Sequence, residues 1–315
     1  MEPTLRQLRY FATLAETHHF GQAARRCHVT QPALSMQIKE LETALGAPLI
    51  ERPRKGVLLT PAGREVARCA RAILQSVQDL ADLARERAQT LSGPLRLGVI
   101  PTIGPYVLPG ILPRLHAVFP KLQLSVRETQ TTLLARELLA GSLDLLILAL
   151  PLKDAEIEEL PLFDDVFALA LPPQHPLGAH DSVAQTDLTG EHLLLLEEGH
   201  CLRDQALAVG EAAGASALDD FRASSLATVV QMVASGYGCT ILPELAVPVE
   251  VGDRQGIHVV PFKAPPPVRT VGLAWRRSSP RRAEFVAFGQ VVVAALGKPP
   301  IPASEREHAL VGEVL

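Results

Sequence analysis

The chain has 315 residues, 47% of them hydrophobic, and a formal net charge of −4. That is enough for two or three domains with substantial cores, and too near neutral for a protein whose whole surface coats nucleic acid, although local basic patches stay open. Its four cysteines, Cys27, Cys69, Cys201 and Cys239, form no Cys-X-X-Cys or Cys/His cluster, so no metal, cofactor or disulfide framework is expected.

The first residues, MEPTLRQLRYF, hold no apolar signal core, and no apolar run approaches ~18 residues. A cytoplasmic protein in a reducing compartment, without a membrane partner, is the expectation. Leu5, Leu8, Phe11, Ala12 and Ala15 recur at helical spacing and predict an amphipathic helix over Leu5–Thr17. A second, short helix opens at Phe20 or Gly21 and runs through Ala23, Ala24 and Cys27. After a turn at His28-Val29, Thr30 caps a third helix with Pro32 in its first turn; Leu34, Ile38, Leu41 and Leu45 mark its buried face and Gly46 stops it. Two short helices across a tight turn read as a helix-turn-helix. Gln31, Pro32, Ser35 and Lys39 then lie on the outward, N-terminal part that enters a major groove in this motif, where Gln suits adenine edges and Ser a base or a phosphate. Leu49–Leu59 predicts a two-stranded wing whose tip carries Arg52, Arg54 and Lys55, suited to phosphates. Periodicity alone equally fits a plain three-helix bundle with a solvated basic turn.

Thr60-Pro61 opens a long helix to about Gln89. Val66, Ala70, Ile73, Val77, Leu80 and Ala84 alternate spacings of four and three, an a/d seam that predicts helix pairing; the alternative is one helix packed on its own domain. Thr90–Pro94 breaks the helix as a hinge. From Leu95 strands alternate with helices: strands at Leu95–Ile100, Leu122–Glu128, Leu145–Leu150, Val166–Leu171, Leu193–Leu196, Cys239–Leu242 and Thr270–Trp275, and helices at Tyr106–Val118, Leu133–Ala140, after Cys201, at Leu226–Ser235 and at Glu284–Leu296. Such alternation predicts a parallel α/β sheet. Its last strand and helix should return to the first α/β unit, giving two lobes joined by crossing segments. A loose polar tail follows Gly297.

Leu193–Gln205, LLLLEEGHCLRDQ, carries the chemistry. Four leucines read as a buried strand, and His200-Cys201 stand where a helix starts. A helix N-terminus favours thiolate over thiol, and His200 and Arg203 offer nearby positive charge, so Cys201 is a candidate redox sulfur. The other reading is a small apolar residue packed at a strand end.

The stretch FGQAARRCHVTQPALSMQIKELETALGAPLIERPRKGVLLTPAG resembles the winged helix-turn-helix of LysR-type transcriptional regulators. Further on, SGPLRLGVIPTIGPYVLP, FPKLQLSVRETQT, LLLLEEGHCLRDQA, FRASSLATVVQMVASG and ILPELAVP resemble the hydrogen-peroxide-sensing, OxyR-like branch of that family, over nearly the whole chain to Gly297. The resemblance implies an α/β fold class with an N-terminal winged helix-turn-helix (1–60), a dimerisation linker helix (61–90) paired antiparallel, a hinge (91–94), and a two-lobed effector domain like a periplasmic binding protein (95–163 and 267–297, with 164–266 as second lobe), then a tail (298–315). It implies that Cys201 is the peroxidatic residue, with Thr102, Thr131, His200, Asp204, Gln205 and Arg269 around it. Threonine hydroxyls both donate and accept, so they suit peroxide or the water that replaces it; Thr102 taken alone could equally cap the helix after it.

One departure is plain. The family's second, resolving cysteine falls nine residues after the first, and here that position is Gly210. The implied partners are promoter DNA, further copies in a homodimer or homotetramer, hydrogen peroxide as effector, and RNA polymerase. Three other readings compete: a regulator whose cleft binds a small metabolite with Cys201 structural, a thiol peroxidase, and a solute-binding transport module. The DNA-reading N-terminus argues against the peroxidase and the missing signal peptide against the transport module.

Overall fold

The computed structural model describes residues 2–51, 56–85, 91–252 and 256–301. The chain divides into two compact units, Met1–Ala88 with Leu139–Ser142, and Gln89–Leu138 with Leu143–Leu315.

The first unit begins with α1 (Leu5–Thr17), started by a capping box in which Thr4 and Gln7 satisfy each other's backbone N–H groups. His19 caps α2 (Phe20–Arg26) through Nδ1, which accepts from Gly21 and Gln22 N–H. Thr30 caps α3 (Gln31–Leu45), and Gly46 ends it in the left-handed conformation. Short strands β1 (Ile50–Glu51) and β2 (Leu58–Leu59) pair antiparallel as the wing. The basic tip residues Arg52, Arg54 and Lys55 lie outside the described residues. Thr60 accepts from Gly63 N–H and opens α4 (Pro61–Arg85). Leu8, Phe11, Leu14, Leu34, Ile38, Leu41 and Leu49 form the core.

Gly63 has a steric reason in this unit. A Cβ there would overlap the Leu49 backbone carbonyl. Gly63→Ala should therefore force the wing away from α4 and destabilise this unit by about 3 kcal/mol, read as a lowered urea midpoint.

The a/d seam of α4 divides in two. Ala70 is buried in this unit's own core and Val66 packs against it, whereas Ile73, Val77 and Leu80 are exposed. The helix's first turns thus belong to its own domain and only the later positions are left for a partner. The side chain of Ala84 and the end at Gln89 lie outside the described residues.

The second unit runs β3 (Gly93–Val99), α5 (Gly104–Val118), β4 (Leu122–Glu128), α6 (Thr131–Leu139), β5 (Leu145–Leu150), β6 (Ile157–Leu171), β7 (His192–Leu196), α7 (Cys201–Ala213), β8 (Ser216–Ala223), α8 (Leu226–Ala234), β9 (Thr240–Pro243), α9 (Val247–Glu250), β10 (His258–Pro261), β11 (Val268–Arg276) and α10 (Arg282–Leu296). Its Gly93 and Pro94 pair with β4 as strand residues instead of standing in a linker.

The expected all-parallel sheet is corrected here. β3 pairs parallel with β4 and β5, and β7 with β8, but β11 and β6 run antiparallel to their neighbours. The two lobes share one hydrogen-bonded path, β10-β6-β11-β5-β3-β4, because β6 is a single long strand. Its first half pairs β11 in the first lobe; its second half pairs β9 and β10 in the second. The strand is thus nine residues longer at its start than the Val166–Leu171 expected. In the second lobe Leu193–Leu196, Leu202, Val229, Val230, Ile241 and Leu242 make a common core. Among the described residues no helix is long and apolar enough to cross a membrane.

Candidate functional site

In an open α/β sheet, ligands bind beyond the carboxyl ends of parallel strands. Thr102 stands in the turn after β3, Thr131 begins α6 just after β4, and Cys201 begins α7 just after β7. Three sequence-selected residues from distant segments thus occupy equivalent ends of parallel strands. Gln130 ties the two sides together, its side-chain N–H donating to the Glu198 carbonyl at 3.3 Å.

Cys201 is partly buried, at the first position of α7 with His200 as N-cap. Burial pushes its thiol above the ordinary range. Against that act a hydrogen bond toward the sulfur from Thr131, the charge of Arg269 and the Leu202 N–H, while Asp204 adds to the rise. Desolvation of the anion thus opposes the thiolate that a helix N-terminus favours. Burial lowers the His200 pKa, with Glu197 opposing from 3.9 Å, and the Arg203 guanidinium donates to the Leu196 carbonyl at 3.0 Å, holding the strand end. Arg269 supplies the positive charge instead.

The pH dependence follows. The nucleophile is the thiolate, and below the thiol pKa its fraction rises about tenfold per pH unit. Oxidation or alkylation of Cys201 should therefore keep accelerating from pH 6 to pH 8, measured by mass spectrometry of quenched samples. A plateau below pH 7 would contradict the raised thiol.

Arg269 and Asp165 are both fully buried and form an ion pair at 2.8 Å; they face each other across β11 and β6. Arg269 also donates to the Thr102 hydroxyl at 3.1 Å and to its carbonyl at 2.9 Å, and Asp165 accepts from Leu245 N–H at 3.0 Å. Thr102 is consequently not a helix cap: the N-cap of α5 is Ile103, without a side-chain cap bond. Sequence reasoning missed Asp165, an acidic residue in an acidic run with no local signal.

Two polar atoms near the sulfur are poorly satisfied, with Thr131 Oγ1 facing only the Cys201 sulfur. Thr131 Oγ1 and Gln205 Oε1 are buried without a well-formed hydrogen bond. Gln205 stands one turn along α7 from Cys201, on the same face. Asp204 is exposed, so it borders the site from solvent and does not line its buried part.

Gly210 is buried nine residues along an unbroken α7, roughly 13 Å from Cys201 at ~1.5 Å per residue. A Cβ there would overlap Leu193 Cδ1. Cys239 lies just ahead of β9, bridged to Leu193. It is buried, its thiol bonded to the His192 carbonyl and pushed up to about 12 by burial first and by Glu191 second. Among the described residues no cluster of His, Cys, Asp and Glu could hold a metal.

On the DNA side, Thr30, Gln31, Pro32 and Lys39 are exposed at the start of α3 and along its outer face, with Ser35 half-buried between them.

Comparison with known proteins agrees in both units. Residues 5–64 match the bacterial regulatory helix-turn-helix protein of the lysR family, and residues 88–297 match the LysR substrate binding domain. The DNA-binding transcriptional dual regulator OxyR of Escherichia coli K12 is 46% identical over 292 residues, 93% of this chain and 95% of that protein. A probable hydrogen peroxide-inducible genes activator of Streptomyces viridosporus is 43% identical over 301 residues, 95% and 96% of the two chains. Among solved structures, a full-length OxyR variant from Pseudomonas aeruginosa superposes with a TM-score of 0.81 at 40% identity, covering 96% of this chain and 98% of that one. A hydrogen-peroxide-bound OxyR mutant of Corynebacterium glutamicum gives 0.66 at 35% identity, covering 100% and 98%. These relatives are regulators, not enzymes. With both family domains matched in order along the chain, it belongs to the LysR family of DNA-binding transcriptional regulators, in its OxyR group.

Proposed function

We propose that this regulator senses hydrogen peroxide by oxidation of Cys201 and transmits the change to promoter DNA. The observation that carries this reading is a partly buried thiol with the Thr131 hydroxyl turned toward it and the buried Gln205 Oε1 one turn along the helix without a donor. Buried acceptors without donors are costly. Hydrogen peroxide is small, neutral and brings two O–H donors, and so does the water that replaces it. Thr102, His200 and Arg269 complete the pocket, with Asp204 at its exposed border.

The product is sulfenic acid. Gly210 offers no thiol, and Cys239 is buried, bonded and held protonated. The oxidised sulfur therefore persists as sulfenic acid or passes to a small thiol as a mixed disulfide. The added oxygen needs space at the start of α7, and a shift of that helix re-packs the effector domain and re-aims the DNA-binding domains. Copies pair through Ile73, Val77 and Leu80 of α4 and again through their effector domains as a tetramer, working with RNA polymerase in the cytoplasm. The lobes join at the crossing segments near residues 164 and 267. Gln31, Pro32 and Ser35 read bases; Thr30, Lys39 and the wing residues Arg52, Arg54 and Lys55 meet phosphates.

Footprinting with and without brief peroxide, paired with a dimedone-type probe, tests this reading. Wild type should take the label at Cys201 and change its footprint. Gln31→Ala or Ser35→Ala should alter base preference, whereas Arg54→Ala with Lys55→Ala should weaken all sequences alike and flatten the salt dependence. Equal binding of promoter and random DNA at physiological salt would sink it. The raised Cys201 thiol and the missing partner thiol favour a second reading, a metabolite in the same cleft with a structural Cys201. Cys201 left unlabelled, with a footprint that peroxide does not change, would favour it.

A further inference from the structure

Thr102 and Arg269 belong to the proposed peroxide pocket, but the Asp165 carboxylate buried behind them does not. Burying an ion pair is costly, and it is sustained only by excellent geometry with the remaining lone pairs and protons satisfied. Here both carboxylate oxygens are engaged, Oδ2 by Arg269 and Oδ1 by Leu245 N–H, and the guanidinium spans from Asp165 to both oxygens of Thr102. The direction of the last bond matters. Arg269 Nη1 donates to Thr102 Oγ1, so that oxygen is an acceptor toward the arginine. A hydroxyl used in this way keeps its own hydrogen for a different partner. A cation donating to the oxygen also makes that hydrogen a stronger donor.

We propose that Asp165 is a positioning residue of the peroxide chemistry: by pinning the Arg269 guanidinium against Thr102, it commits the Thr102 O–H to donating to the oxygen that leaves when peroxide is cleaved. This rests on the sensing reading above. In the step, Cys201 gives up its proton and its sulfur attacks one peroxide oxygen. The S–O bond forms as the O–O bond breaks. The sulfur is oxidised to sulfenic acid, and the second oxygen departs as hydroxide, takes up the proton that the thiol released, and leaves as water. Thr102 transfers nothing; its hydrogen bond stabilises the negative charge that develops on the departing oxygen, which is where a fixed donor has most effect. Thr102 is oriented by Arg269 and Arg269 by Asp165, so the charge pair acts on the reaction without touching the peroxide through Asp165 itself.

The experiment compares two reagents on the full-length chain. Hydrogen peroxide needs a donor for its leaving oxygen. The same sulfur attacks the iodoacetamide carbon, forming the S–C bond as iodide leaves, and iodide needs no donor. Rates of Cys201 modification by each are followed by quenched mass spectrometry for wild type, Asp165→Asn and Arg269→Lys. The lysine keeps a positive charge beside Asp165 but, as a compact ammonium, cannot span Asp165 and Thr102 together. Because Asp165→Asn leaves a buried guanidinium unpaired and can fail to fold, Asp165→Asn with Arg269→Gln is included as an uncharged pair.

Iodoacetamide should slow only as far as the altered charge at Arg269 lowers the thiolate fraction, and peroxide should slow about 10²-fold beyond that in the folded variants. An unchanged peroxide rate in these variants overturns the proposal. So does an equal fall for both reagents, which marks a merely structural role. If wild-type Cys201 takes iodoacetamide but not peroxide, the sensing reading itself falls and this proposal with it.

Discussion

Replacing Cys201 with serine should abolish both the sulfenic-acid label and the peroxide-dependent change in DNA footprint, while leaving a folded, DNA-binding protein. A serine hydroxyl is nearly the same shape as the thiol but is not ionised at neutral pH and is no nucleophile toward peroxide. The stability cost is modest, on the order of 1 kcal/mol, since the site already contains groups able to hydrogen-bond a hydroxyl. Wild type and Cys201→Ser should therefore bind promoter DNA alike before peroxide and differ only after it. A tenfold peroxide-induced affinity change in wild type corresponds to about 1.4 kcal/mol, well within footprint titration. A full peroxide response in Cys201→Ser would end the redox reading. The site beside Cys201 would then be one for a metabolite, with the buried Gln205 Oε1 as its unpartnered polar atom.

The same logic bears on Gly210. A cysteine introduced there meets Leu193 within a tightly packed helix–strand contact and stands two to three helical turns from Cys201. Any disulfide would require α7 to unwind. In the proposed function, oxidised Cys201 is therefore read directly or through an external thiol.

How far the sequence alone reaches depends on whether a residue's partners are local. The helix Leu5–Thr17, the Thr30 and Gly46 boundaries and the strand Leu145–Leu150 were legible, because periodicity, caps and a continuous apolar run are local signals. The first half of β6, Ile157–Asp165, was not. Its IEELPLFDD looks like an acidic loop. In the fold those charges have distant partners: Glu158 receives Arg282 and Trp275, Asp164 receives Thr270, and Asp165 receives Arg269. Partners more than one hundred residues away leave no trace in a local window. β10 was missed because four residues carry too little pattern, and β8 because Asp219 and Asp220 interrupt its run. The site shows the same division. Motif strings single out Cys201, His200, Thr102 and Thr131 as candidates, whereas Asp165 shows only through its contacts. A helix N-terminus beside the thiol is visible in sequence, whereas the burial that pushes its pKa up is not.

That division of local from distant signals also frames the last prediction, which concerns assembly. On α4, Ile73, Val77 and Leu80 are 45%, 37% and 67% exposed, while Ala70, one step earlier in the same stripe, is 1% exposed. An apolar stripe that continues past the end of its own domain's core is suited to a second copy. Ile73→Asp should accordingly leave the monomer folded, since the residue is half in solvent there, and disrupt pairing, where the carboxylate would be buried without a partner. An unpaired buried charge costs about 3–5 kcal/mol, so the dimer dissociation constant should rise about 10²-fold or more. Ala70→Asp is the contrast: it should unfold the first unit instead of only separating copies. Light scattering and analytical ultracentrifugation should show Ile73→Asp as a smaller, folded species, with circular dichroism unchanged from wild type. Loss of pairing would also weaken binding to a two-half-site operator far more than to a single half-site, because two linked contacts become independent ones. An Ile73→Asp protein that keeps the wild-type assembly would show that α4 does not carry the dimer, and the exposed stripe would then have to be assigned to another partner.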